Sequence, residues 1–340
     1  MPSNSTAKQF AGLALLLAIT LSSNANAQDP LPSWNDGPAK QAILEFVKST
    51  TSEGSPKFVP PAERIVTFDQ DGTLWVEQPM YTQVVYALDR VPVIVKKNPE
   101  LKNVEPYKTI LTGDHAAIAK LPMKDMYALL AAAFSGMTVE QFHSEVSKWF
   151  DTAKDHRWHR PYTELIYQPM LEVIRYLRAS GYKTYIVTGG GQDFVRVYAE
   201  KVYGIPPEQV VGTVGDAKYG YDKEGRPRLT KEPKLMLLDD KTGKPEGIHM
   251  MIGRRPHAAF GNSDGDQQML EYTGAGHGAR LMMLVLHDDK EREYAYGPAG
   301  GLPDSKVGTF TQALYNEAQS KGWTVISMKN DWKQIFYFTE

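Results

Sequence analysis

The sequence predicts an α/β protein, a mostly parallel sheet with helices on both faces and an inserted, mainly helical domain. Three observations carry this. From about residue 57, short apolar runs alternate with segments of helical periodicity. About eighty residues without strand character separate the first two strands, where a crossover connection needs only ~10–12. The chain has 340 residues, 42% of them hydrophobic, enough for a sheet core and a second unit and too apolar for a disordered chain.

The elements follow in order. Residues 65–68 (Ile-Val-Thr-Phe) form an apolar strand that stops at Asp69. Over 169–179, Met170, Leu171, Ile174 and Leu177 recur at helical spacing; Gly181 closes that helix, and 183–188 is the next strand. A helix over 194–203 ends at Gly204. Further strands are expected at 210–214, 234–238, 257–260 and 281–286, and helices at 246–252, 267–272 and 310–321. Strands alternating with helices imply parallel pairing covered on both faces. Ligands of such sheets bind beyond the carboxyl ends of the strands, so the strand-ending residues are the ones to inspect.

Within the insertion, Thr138 and Gln141 have the spacing of a capping box. Val139, Phe142, Val146, Trp149 and Phe150 mark one face of the helix it opens, and Met126, Leu129, Leu130 and Phe134 mark an earlier one. Residues 79–161 are therefore read as a helical cap, and 57–78 with 162–340 as the α/β core. The turn-rich segment 215–233 reads as a surface hairpin with its tip at 222–225 and Tyr219 and Leu229 in its arms; it could also reach substrate.

Residues 1–27 read as a cleaved secretory signal, with Lys8, an apolar run over 10–21 and a small-residue cleavage site at Ala25-Asn26-Ala27. The product would begin at Gln28 and be periplasmic or secreted. The apolar run is too short to cross a bilayer and no other stretch approaches ~20 apolar residues, so no stable membrane anchor is expected. A net charge of −2 argues against a nucleic-acid partner. The absence of cysteine excludes disulfides, iron–sulfur clusters, thiolate zinc and a cysteine nucleophile. Chemistry must come from oxygen and nitrogen groups. Oligomeric state is not legible.

Asp69-Gln70-Asp71-Gly72-Thr73 follows the first strand at once. Two carboxylates this close repel unless a cation or proton separates them, and Gly72 permits a turn that converges them. The pair suits phosphoryl transfer, with one carboxylate attacking phosphorus and the other handling the proton of the leaving oxygen. This segment resembles the Asp-x-Asp-x-Thr motif of the haloacid dehalogenase superfamily, whose phosphatase branches carry the second Asp. The resemblance implies a Rossmann-like core, Asp69 as nucleophile and Asp71 as general acid/base.

Three further segments match that superfamily in order. Thr188, followed by Gly189, Gly190 and Gly191, resembles the phosphate-binding Ser-Gly-Gly of phosphoserine phosphatases. A lysine before a helix neutralises the nucleophile in the family; Lys241 and Lys244 compete for the role, and Lys244 sits better. Gly261-Asn262-Ser263-Asp264-Gly265-Asp266 resembles the acidic fourth motif, with Asn262 where the family has its first Asp. Mg2+ would then be held by Asp69, the Asp71 carbonyl and Asn262, with Asp266 and a compensating Asp264 in its outer shell. An Asn oxygen still suits Mg2+ but brings one charge fewer. A helix N-cap is the bland role for Asp264.

Trp75, Glu77 and Tyr81 are expected to line the substrate pocket, with Glu77 against an amine. The segment 156–160 reads as cap-end surface and Asp288-Asp289 as a solvated turn. The resemblance implies an exported, Mg2+-dependent phosphomonoesterase acting on small phosphate esters through an aspartyl phosphate, of the phosphoserine phosphatase-like kind. A phosphorylcholine-type phosphatase, with Trp75, Tyr81 and Trp158 as an aromatic cage, and a non-catalytic phosphate- or metal-binding protein of the same fold are the alternatives.

Overall fold

The computed structural model describes Met1 and residues 29–118 and 120–338. Met1 apart, the export signal expected over 1–27 lies outside the described residues. The helices are α1 (Pro38–Thr51), α2 (Thr82–Lys97), α3 (Tyr107–Leu111), α4 (His115–Ile118), α5 (Met123–Phe134), α6 (Val139–Thr152), α7 (Gln168–Ala179), α8 (Gln192–Arg196), α9 (Ala199–Tyr203), α10 (Gly243–Gly247), α11 (Gln267–Gly274), α12 (Gln312–Ser320) and α13 (Met328–Asp331). The strands are β1 (Ile65–Phe68), β2 (Lys183–Gly191), β3 (Val210–Tyr221), β4 (Pro227–Leu237), β5 (Ala258–Gly261), β6 (Leu281–Leu286) and β7 (Thr324–Ser327).

One sheet runs in the order β4-β3-β2-β1-β5-β6-β7. Every pair is parallel except β3–β4. After β1 the chain builds outward through β2 and β3, then returns to the other side of β1 for β5. The strand order therefore reverses at β1, and the crevice at such a reversal is where ligands bind.

The alternation of side chains along each strand divides the core. Val66, Phe68, Ile186, Ala258, Phe260, Met283 and Val285 face one layer, with α1, α6 and α7 packed on it. Val187, Val211, Ala259 and Leu284 face the other, under α11 and α12. Residues before 57, left without an element by the sequence, belong to the first layer: Ala39, Ile43, Phe46 and Val47 form the buried stripe of α1. Glu172 of α7 anchors this segment by accepting from the Ser33 N–H at 2.9 Å and the Ser33 hydroxyl at 2.6 Å.

Two expectations change. Residues 234–238 are no separate parallel strand; 234–237 belong to β4, antiparallel to β3, in a hairpin that pairs Tyr219 with Leu229. The edge strand β7 was not read at all. Gly322, at φ +67, ends α12 just ahead of it, but four residues are too few to show a strand period and only pairing with β6 identifies them.

The insertion has its own small core of Ala87, Val91, Ile94, Tyr107, Ile110, Leu129 and Ala133 from α2, α3 and α5. Helix α6 begins with the expected capping box: Thr138 Oγ1 accepts from the Gln141 N–H at 3.2 Å, and the Gln141 side chain accepts from the Thr138 N–H at 2.9 Å. Its buried Phe142, Val146 and Phe150 pack on the sheet domain rather than on the cap core. The β3–β4 hairpin is stitched to the cap through Lys231, whose N–H donates to Met137 O and whose carbonyl accepts from Gly136, each at 2.9 Å. The hairpin is thus continuous with the cap, not a free excursion.

Candidate active site

Strand β1 delivers Asp69 to the crevice, where its own N–H donates to Phe260 O of β5 at 2.9 Å. Gly72 then turns the chain at φ +73, and the Gly72 N–H donates to Trp75 O at 2.9 Å. That turn folds the Trp75 indole back, so its Nε1–H donates to Asp71 Oδ1 at 2.7 Å. Asp69 and Asp71 line one cavity of about 700 Å³.

Lys244, on α10, is 2% exposed. Its Nζ lies 2.5 Å from Asp69 Oδ1 and 2.8 Å from Asp266 Oδ1, and donates to Val187 O at 2.7 Å. Burial works against its charge, but Asp266, Asp69 and Asp239 outweigh it and raise its pKa. Lys241 is exposed, takes a left-handed φ of +52 and only starts the turn into α10. The structure brings Lys244, not Lys241, to Asp69. Burial, reinforced by the Asp266 charge and opposed by Lys244, raises the Asp69 pKa well above its usual range. Burial pushes Asp71 up to about 6, against the Trp75 hydrogen bond and Lys244. Asp71 can therefore hold a proton where Asp69, paired with an ammonium, gives its own up more readily than burial alone would allow.

At the end of β2, Thr188 Oγ1 accepts from the Gly190 N–H at 3.0 Å, which leaves the hydroxyl proton for an incoming oxygen. Gly189 and Gly190 line the Asp69 cavity. Beyond β5, Asn262 Oδ1 accepts from the Thr73 hydroxyl at 3.0 Å. Asp266 Oδ2 accepts from the N–H groups of Asn262 at 2.9 Å and Ser263 at 3.1 Å, so one carboxylate holds both the fourth segment and Lys244.

A family profile described as haloacid dehalogenase-like hydrolase matches residues 66–271. The chain belongs to that family. No curated protein matches it. Among solved structures, a conserved protein of unknown function from Anaerococcus prevotii is 14% identical over 74% of this chain and 86% of its own, with a TM-score of 0.49. A protein of unknown function from Bordetella pertussis is 14% identical, covers 78% and 98%, and scores 0.47. A phosphoserine phosphohydrolase-like protein from Francisella tularensis is 15% identical, covers 66% and 88%, and scores 0.37.

The site of this hydrolase fits a hard divalent cation. Asp69, the Asp71 carbonyl and Asn262 Oδ1 are oxygen donors, the set such a cation takes. The cradle beneath them exists because residue 72 has no side chain: a Cβ there would lie 2.2 Å from Asn262 Nδ2. Among the described residues no three His, Asp or Glu side chains form a cage by themselves, so the fit draws on the carbonyl and the amide.

Two expected site residues lie elsewhere. Trp75 is 1% exposed and stacks on Tyr198 at 4.7 Å; it sits behind Asp71 and holds it, rather than lining the substrate pocket. Asp264 turns away to α12, where its Oδ1 accepts from the Thr311 N–H and hydroxyl, each at 3.0 Å. A polar pair one helix away satisfies it, which replaces both its supporting role and the N-cap reading. Glu77 and Tyr81 do line the cavity. Trp158 packs edge-on against Tyr294 and Phe336, so of the three proposed cage aromatics Tyr81 alone lines it. Arg157 donates to Glu293 O, placing 156–160 against the core surface. Asp289 is buried and ion-paired to Arg292 at 2.6 Å, and Asp288 accepts from Ser327, so these two are not a solvated turn.

Sequence reasoning missed two residues behind the site, His287 and Asp239, which join the expected Glu77 there. His287, just past β6, contacts the Gly72 carbonyl at 2.8 Å through Nε2 and Glu293 at 3.1 Å through Nδ1, fixing the Gly72 turn from behind. Its place at a strand's carboxyl end was the available signal. Asp239, past β4, is fully buried; burial pushes it up to about 7 against the pull of Lys244. Glu77 accepts from Asn262 and from Tyr296, and burial raises its pKa well above the usual range.

Proposed function

We propose that this hydrolase is an exported, Mg2+-dependent phosphomonoesterase of the phosphoserine phosphatase-like kind, acting on small phosphate esters. One observation carries the reading: a buried lysine joins Asp69 to Asp266 at 2.5 and 2.8 Å, two residues from a second carboxyl pushed up to about 6. That is a nucleophile with a counter-charge beside a proton donor.

Asp69 attacks phosphorus as the bond to the leaving oxygen breaks, giving an aspartyl phosphate. Asp71, protonated, supplies the proton to the leaving alkoxide. The Asp71 carboxylate then takes a proton from water as that water attacks phosphorus and frees Asp69. Lys244 and the Thr188 hydroxyl balance charge on the phosphoryl oxygens, so catalysis is chiefly positioning and neutralisation. Mg2+ on Asp69, the Asp71 carbonyl and Asn262 would supply further neutralisation of the phosphoryl group.

Substrate size is bounded by the cap. Ile118, Leu121, Pro122, Met126, Tyr127 and Leu130 roof the cavity, which favours a leaving group with a compact carbon skeleton. The export reading of residues 1–27 places the enzyme in the periplasm or outside the cell. Among the described residues no helix is long and apolar enough to cross a membrane. The test is phosphate release from p-nitrophenyl phosphate with Mg2+, for the native chain against Asp69→Asn. Equal rates would sink the catalytic reading, and a panel of small phosphomonoesters then ranks the leaving groups.

A further inference from the structure

We propose that Glu77 supplies the carboxylate that position 262 lacks, as a ligand of the divalent cation at the Asp69 site. The proposal rests on the magnesium reading above. Asn262 contributes an oxygen without charge. Against it lies Glu77, whose Oε1 accepts from Asn262 Nδ2 at 2.7 Å and from the Tyr296 hydroxyl at 2.8 Å. These two donors fix the carboxylate through a single oxygen.

The other oxygen, Oε2, accepts no hydrogen bond among the described residues. Yet the residue is 2% exposed and lines the same cavity as Asp69 and Asp71. Oε2 therefore faces the cavity, where it is open to a cation, rather than the sealed interior. Lys244 does not serve it, being committed to Asp69 and Asp266.

The backbone is shaped around this group from both sides. A Cβ on Gly72 would lie 2.3 Å from Glu77 Oε1, and one on Gly308, at φ +64, would lie 1.7 Å from it. Segments more than two hundred residues apart therefore leave room for one carboxylate at the edge of the cation cradle. With Asp69, the Asp71 carbonyl and the Asn262 oxygen, Glu77 gives four oxygens carrying two negative charges. A donor set with Asp at 262 would carry the same charge without Glu77.

The experiment is a Mn2+ titration of the full chain, followed by calorimetry and by the loss of free-Mn2+ electron paramagnetic resonance, with no substrate present. Glu77→Gln is expected to weaken Mn2+ binding by at least ~10-fold, in the range that loss of supporting groups already costs. Glu77→Gln/Asn262→Asp, which returns the charge to 262, is expected to recover to within about threefold of native. Near-UV circular dichroism establishes that both variants are folded. Binding by Glu77→Gln within twofold of native overturns the proposal, as does a double variant as weak as the single. If Glu77 instead holds a substrate amine, Mn2+ binding is untouched and only KM for amine-bearing esters rises, which also overturns it. Because the titration needs no turnover, its failure is separable from failure of the phosphatase reading, which the Asp69→Asn comparison decides.

Discussion

Lys244→Met removes the one ammonium between two buried carboxylates while keeping a side chain of similar length. Nζ lies 2.5 Å from Asp69 and 2.8 Å from Asp266, and taking one partner from a buried ion pair costs ~3–5 kcal/mol. If ~3–4 kcal/mol of that is charge stabilisation that the transition state also uses, kcat falls by ~10²–10³. The stability loss should depend on pH, and its sign follows from Asp69. Burial and Asp266 already raise the Asp69 pKa and Lys244 opposes them, so the variant raises it further. A carboxyl whose folded pKa is raised favours the fold below its unfolded pKa and loses that contribution as pH rises toward the folded one. The deficit against native must therefore grow with pH once Asp69 ionises in the native fold, and is read by comparing pH 5 with pH 9. Urea melts at both pH values and p-nitrophenolate release measure the two effects, with Lys241→Met, an exposed neighbour, staying within twofold of native. Activity of Lys244→Met within tenfold of native, or an equal deficit at both pH values, would refute the reasoning.

Other perturbations test separate parts of the site. Trp75→Phe keeps an aromatic ring against Tyr198 but removes the N–H that favours ionised Asp71; a hydrogen bond to a charged group is worth ~1.5–3 kcal/mol, so the basic limb of the kcat profile, set by Asp71 near 6, should move up by about one to two units. An unmoved limb would exclude Asp71 as the acid. Gly72→Ala forces a Cβ to 2.2 Å from Asn262 Nδ2 at φ +73, and should cost ~1–3 kcal/mol in urea melts with at least a ~10-fold fall in kcat; native-like values for both would show that the cradle is not tight. Thr138→Ala breaks the capping box of α6 and should cost ~1 kcal/mol of stability, with kcat on p-nitrophenyl phosphate changed by less than about threefold.

What the sequence made legible, and what it hid, divides by the range of the interaction. Asp69 and Asn262 stand immediately after β-strands and Asp71 and Thr188 within three residues of a strand's end, and strand ends can be read from apolar runs that stop at a polar residue. The choice of Lys244 over Lys241 needed a local cue only, the turn into a helix, because a residue held at φ +52 in that turn points differently from one a turn later. Trp75, Glu77 and Asp264 were misplaced or underread for the opposite reason. Each is decided by a partner. For Trp75 the partner is four residues away but lies across a turn whose geometry a glycine sets; for Glu77 it is Asn262 and Tyr296, and for Asp264 it is Thr311. Spacing along the chain carries no information about such pairs.

The same division explains why the Asn at 262 reads so differently in the two views. Along the sequence it is a lost charge, and so an argument for a weakened or silent site. In the fold it is an amide whose oxygen is held by Thr73 and whose nitrogen is held by Glu77, a carboxylate 185 residues earlier in the chain. An Asp at this position would place a second negative charge against Glu77, in a cavity that already contains Asp69 and Asp71; like charges this close are strongly disfavoured where water is excluded. The Asn is therefore what the neighbouring Glu permits, and the charge of the site should be counted over the cavity rather than over the motif.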